Sequence, residues 1–246
     1  MKSRLFESIK NVCLRIDRSE FPHGWSLYLP AGIIVAYFLF FGTLPKSIRF
    51  HDTASRILLS PQSFFAFSLL LSIVIFRVKI ADLGLSKNNL ATNLMTGLKA
   101  SIIPFSLVLI AIVIPVWVYE IITSGRIGIF DNFAKGPRNG DIAYLLQLLV
   151  LAPIFEEIFF RGLFIPPLKK YLPAWAVILI SSLIFMSAHG YLKFGAFLLG
   201  LFTSVLFMWS RSVVPGIIFH FTCNLWGPLL VYLFPNIYKT IYFLFR

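Results

Sequence analysis

This 246-residue chain contains ten acidic residues, and two of them, Glu156 and Glu157, lie inside an apolar run. Arg161 follows four residues later. The other carboxylates fall in polar stretches or near the ends of apolar ones. A charged side chain at mid-bilayer costs roughly 2.5–3.5 kcal/mol on insertion scales. Two Glu and one Arg within six residues therefore persist only if they pair, face a wet cavity or perform chemistry. On a helix, Glu157 and Arg161 are neighbours in the favoured acid-first order. Glu156 points about 100° away from Glu157. With Phe160 four residues on, it gains no partner from its own helix and is expected to be left unpaired, as a general base would be.

Two further polar elements lie in later apolar segments. His189 closes Phe185-x-x-x-His189, and His220 opens His220-x-x-x-Asn224. The spacing of four puts His220 and Asn224 on one helix face. Singly, an intramembrane His or Asn is ordinary interhelical glue. Together, a base, two His, an Asn and a Glu–Arg pair form a constellation suited to hydrolysis. His23 and His51 lie in the flanks and read as surface residues.

Apolar elements must position these groups. The chain is 58% hydrophobic and 13% charged, with a mean hydropathy of +0.84. Soluble domains are nearer 45–50% apolar and about 25% charged. This composition excludes an ordinary cytosolic globule, a disordered chain and a disulfide scaffold. It predicts an all-α, polytopic transmembrane helical bundle of seven or eight spans, each of roughly 20 residues. Spans are expected at about 25–44, 57–76, 97–122, 142–164, 173–189, 194–210 and 213–233. The tail 234–246 is a candidate short last helix. Residues 77–96 and 123–140 read as loops, the former with room for an amphipathic helix. Pro166 and Pro167 are expected to end the fourth span. There is no internal repeat.

The expected organisation is an N-terminal interfacial arm (1–24), N-terminal transmembrane helices and loops (25–140), a catalytic core (141–233) and the tail (234–246). The net charge is +12, and the basic residues sit mostly between apolar runs, where anionic lipid headgroups would meet them. Membrane lipid is thus the expected partner, and nucleic acid is not. The arm carries five Lys or Arg and 77–99 four, against three each in 44–56 and 123–140. That asymmetry leans toward a cytoplasmic N-terminus. Cys13 and Cys223 form no CxxC and need not pair.

Glu156-Glu157-x-x-x-Arg161, Phe185-x-x-x-His189 and His220-x-x-x-Asn224, in that order and in apolar context, resemble the CPBP family. That family comprises type II CAAX prenyl endopeptidases, bacteriocin-processing proteins and bacterial abortive-infection proteins. The likeness covers about 142–230. It implies an intramembrane endopeptidase of the cell membrane, acting on a membrane-associated protein or peptide. By resemblance, Glu156 activates water and His189 helps hold or deprotonate it. His220 and Asn224 stabilise the oxyanion, and Glu157 and Arg161 position the site.

Glu156, His189 and His220 could instead hold a divalent metal with one open position, and members of the family are often labelled metalloproteases. There is no H-E-x-x-H, and the expectation is a metal-free site without cofactor. Two other classes fit parts of the pattern. One is a non-catalytic immunity or scaffold protein, in which the constellation serves packing. The other is an ion-coupled transporter, against which stands the absence of paired broken helices.

Overall fold

A computed structural model describes residues 25–43, 60–85, 89–115, 141–189 and 193–233, together with Asn11, Leu14, Ile16 and Val118. Most of the expected arm, the loop 123–140, the tail, Cys13, His23 and His51 lie outside the described residues.

Every regular element among the described residues is helical. The elements are α1 (Tyr28–Thr43), α2 (Pro61–Val74), α3 (Leu90–Val108), α4 (Asp141–Leu146), α5 (Ala152–Glu157), α6 (Ile165–Lys169), α7 (Ala174–Ala188), α8 (Phe194–Ser210) and α9 (Val214–Leu233). π-Helical stretches at Leu109–Val113, Gln147–Leu151 and Ile158–Leu163 continue α3, α4 and α5. α3 packs along α9, α7 along α8, α8 along α9, and α5 contacts both α2 and α9.

Local chemistry explains several boundaries. Ser60 caps α2 by accepting a hydrogen bond from the Ser63 amide, and Pro61 occupies the first turn, where a missing N–H costs nothing. α3 begins at Leu90, earlier than the span expected at 97. Asn89 takes the left-handed conformation (φ 61°) just before it, and Thr96 returns its hydroxyl to the Thr92 carbonyl. The polar residues expected to form a loop are thereby accommodated within a helix. Pro166 and Pro167 do not end the helical path. They sit at the start of α6, the position where proline is tolerated.

The burial pattern departs from that of a soluble protein. Glu157, Arg161, Ser181, Ser182, Thr203 and Ser204 have no exposed surface, while Phe67, Leu70, Val74, Ile102, Leu107 and Trp175 lie on the outside. An apolar exterior around an apolar core that also encloses charged and hydroxyl side chains suits a lipid surrounding. Leu90–Ala111, at 22 residues, is the one helix among the described residues that is long and apolar enough by itself to cross a bilayer. Tyr28–Gly42, Pro61–Val74, Ala174–Ala188 and Phe194–Ser210 are apolar but shorter.

The central segment Ile158–Leu163 is buried on all sides. Phe65 stacks on Phe159 at 4.7 Å between ring centroids, and Phe160 meets Phe185 edge to face at 5.1 Å. Gly162 allows the turn after α2 to lie against this segment. A Cβ there would stand 2.5 Å from the Leu83 carbonyl oxygen, so any larger residue would push the turn away.

Candidate active site

The Glu-Glu-x-x-x-Arg motif straddles a change of helical type. α5 ends at Glu157, and the π-helical Ile158–Leu163 follows, closed by the Phe164 amide donating to the Phe159 carbonyl. Pro153 has no N–H to give to the preceding turn, and the π-helical Gln147–Leu151 immediately precedes α5. Such π-helical insertions recur at functional sites because they re-aim side chains.

Glu157 and Arg161 pair as the spacing predicts. Arg161 Nε lies 3.2 Å from Glu157 Oε2, with both side chains fully buried. Arg161 Nη2 donates to the Gly200 carbonyl at 3.2 Å, and its guanidinium carbon lies 4.5 Å from the Phe185 ring centroid. Close approach of α8 requires Gly200, since a Cβ there would meet Ser182 Cα at 3.0 Å.

Glu157 has a second partner from a distant part of the chain. Its Oε1 stands 2.9 Å from His220 Nδ1. A carboxylate only accepts, so Nδ1 donates, and Nε2 is the ring atom turned to Glu156. His189 is arranged in the same way. Its Nδ1 lies 2.8 Å from the Phe185 carbonyl oxygen, another pure acceptor. Its Nε2 therefore faces Glu156 Oε2, at 3.5 Å. His220 Nε2 is 4.0 Å from that oxygen.

Glu156 is 4% exposed and is not the unpaired carboxyl expected from its own helix. Gln62 Nε2 donates to Glu156 Oε1 at 3.2 Å, and Gln147 Nε2 donates to Gln62 Oε1 at 2.9 Å. The correction has a simple cause. Helical spacing speaks only for one helix, and the partners come from α2, α7 and α9. Glu156 Oε2 itself has no hydrogen-bond partner among the described residues. It is a buried carboxyl oxygen facing two imidazole nitrogens.

Asn224 lies one turn along α9 from His220. Its Nδ2 donates to the Leu148 carbonyl at 2.9 Å, which leaves the amide one further N–H. Gln62, Gln147 and Tyr37 were not singled out from the sequence. Tyr37 donates its hydroxyl to the Ala188 carbonyl at 2.7 Å, next to His189. The available signal was weak. An amide in an apolar run needs a bonded partner, but nothing in the sequence says which.

Glu156, His189 and His220 are the residues that could hold a metal. Two donors at about 2.1 Å from one tetrahedral ion stand roughly 3.4 Å apart, and the 4.0 Å between His220 Nε2 and Glu156 Oε2 is wider. Among the described residues, no three His, Cys, Asp or Glu side chains form a ligand group. The 3.5 Å between His189 Nε2 and Glu156 Oε2 is close to the spacing of two such donors.

No curated protein and no solved structure matches the chain. Residues 138–226 match the family model described as type II CAAX prenyl endopeptidase Rce1-like. Glu156, Glu157, Arg161, His189, His220 and Asn224 all fall inside that segment, whereas Gln62 and Tyr37 fall outside it. Over residues 138–226, this chain is therefore similar to the CPBP family, the membrane-embedded proteases that include the Rce1-like type II CAAX prenyl endopeptidases.

Proposed function

We propose that the protein is a multi-pass intramembrane endopeptidase that hydrolyses a peptide bond in a membrane-associated protein or peptide without a metal. The observation that carries this reading is Glu156 Oε2, buried, without a hydrogen bond among the described residues, and facing His189 Nε2 at 3.5 Å and His220 Nε2 at 4.0 Å. These separations suit a water molecule held between acceptors. Its oxygen attacks the scissile carbonyl carbon while its proton passes to Glu156 Oε2 or His189 Nε2. The tetrahedral intermediate carries its negative charge on the former carbonyl oxygen. Its donors are the second N–H of Asn224 and Nε2 of His220, the latter only as an imidazolium, since Nδ1 already donates to Glu157. Such donors contribute on the order of 3–4 kcal/mol to acyl transfer. Collapse breaks the C–N bond, and the proton held by Glu156 or His189 goes to the departing amine. Glu157 and Arg161 hold the frame and touch no reacting atom.

Seven or eight crossings remain the proposed topology, with the N-terminus on the cytoplasmic side. A prenylated CAAX tail is the first substrate to try, because the matched family model is described by it. The test uses protein reconstituted in phosphatidylcholine–phosphatidylglycerol vesicles and a quenched fluorescent farnesylated CAAX peptide. The expected result is cleavage by the unaltered protein and none by Glu156→Gln, with insertion and thermal unfolding unchanged. Cleavage retained by Glu156→Gln overturns the mechanism. A protein that cleaves neither this peptide nor unprenylated membrane-anchored peptides is not the peptidase proposed.

A further inference from the structure

Glu156 has two oxygens in different situations, and the difference comes from the half of the chain outside the family match. Oε2 has no hydrogen-bond partner among the described residues and faces the histidines. Oε1 accepts from Gln62 Nε2 on α2. Gln62 in turn accepts, through its Oε1, from Gln147 Nε2 in the π-helical stretch before α5. The direction of this chain is fixed by chemistry. A carboxylate only accepts, so the Gln62 amide must present its nitrogen to Glu156 and its oxygen to Gln147. Gln147 must then donate. An amide is uncharged, so the relay orients Glu156 without neutralising it.

We infer that Gln62, backed by Gln147, is a positioning residue that ties down Glu156 Oε1 and thereby selects Oε2 as the oxygen that works on water. The inference rests on the peptidase reading for its kinetic consequence. Its geometry stands apart from that reading. On this view the N-terminal half of the chain does more than enclose the catalytic core, because it supplies part of the base.

Three neighbouring features make the relay specific. Ser60 and Pro61 fix the first turn of α2, so Gln62 has a defined direction. Phe65, one turn on, stacks on Phe159 and anchors α2 to the segment after Glu157. The π-helical geometry at Gln147–Leu151 lies between Gln147 and α5 and sets where the Gln147 side chain emerges relative to Glu156.

The experiment compares Gln62→Leu and Gln147→Leu with the unaltered protein in the same vesicles, with two readouts. The first is peptide cleavage. A misplacement of about 1 Å in a reacting group can cost up to roughly 100-fold. The expected result for Gln62→Leu is a fall in kcat of that size, with KM within twofold and unchanged thermal unfolding. Gln147→Leu is expected to show a smaller fall of the same kind. The second readout is the infrared carboxyl band of Glu156, isolated at one pH as the difference between each background and the same background carrying Glu156→Gln. Gln62→Leu is expected to move this band. A kcat within twofold of the unaltered protein, or an unmoved band, overturns the inference. If the unaltered protein cleaves nothing, the peptidase reading fails and the infrared band alone decides whether Gln62 holds Glu156.

Discussion

Arg161 Nε stands 3.2 Å from Glu157 Oε2, with neither side chain exposed. Removing one partner leaves the other's buried charge without its counter-ion, in a medium that solvates it poorly. Arg161→Met is expected to destabilise the protein by about 3–5 kcal/mol, read as a lower unfolding temperature in detergent. Glu157→Leu combined with Arg161→Met should cost less than the two single changes added together. Additive losses would show that the pair is not coupled.

His189 is held by a hydrogen bond within its own turn and by an anchor from α1. Tyr37 donates to the Ala188 carbonyl at 2.7 Å and stacks against Phe65 at 5.1 Å. A net hydrogen bond of about 0.5–1.5 kcal/mol sets the scale. Tyr37→Phe should lower kcat by no more than about tenfold, whereas His189→Ala should abolish cleavage. Equal losses in the two variants would mean that Tyr37 acts on substrate or fold rather than through His189.

Asn224 spends one N–H on the Leu148 carbonyl, and the proposed mechanism assigns its second to the developing oxyanion. Asn224→Ala is therefore expected to reduce kcat by about 10²–10³ with little change in KM. A rise in KM alone, with kcat preserved, would place Asn224 in substrate binding instead.

A site in which Glu156 and His189 activate water unaided should be insensitive to chelators. Cleavage in vesicles is expected to proceed at the same rate after incubation with EDTA or 1,10-phenanthroline. Loss of activity restored by added zinc would replace the proposed mechanism with one in which Glu156, His189 and His220 are ligands.

Much of this was legible in the residues. The cost of placing charge in an apolar run singled out Glu156, Glu157 and Arg161, and the helical period paired the last two. The same period put His220 and Asn224 on one face of α9. The start of α3 was less legible. Thr92, Asn93 and Thr96 look like loop residues by composition, yet Ser and Thr hydroxyls bond back to their own helix, as Thr96 does. Gln62 was invisible because an uncharged amide makes only a modest mark on a hydropathy profile.

By itself, the sequence determined that the chain is helical and apolar outside, that a few polar groups inside it need a reason to exist, and that Glu157 belongs with Arg161. These follow from local spacing and from the cost of transferring charge out of water. Only the tertiary structure decided that Glu157 also receives His220, that Gln62 holds one oxygen of Glu156, and that the other faces two imidazoles. Those relations join α2, α5, α7 and α9, and no periodicity within one helix reports on which faces of separate helices are brought together by packing.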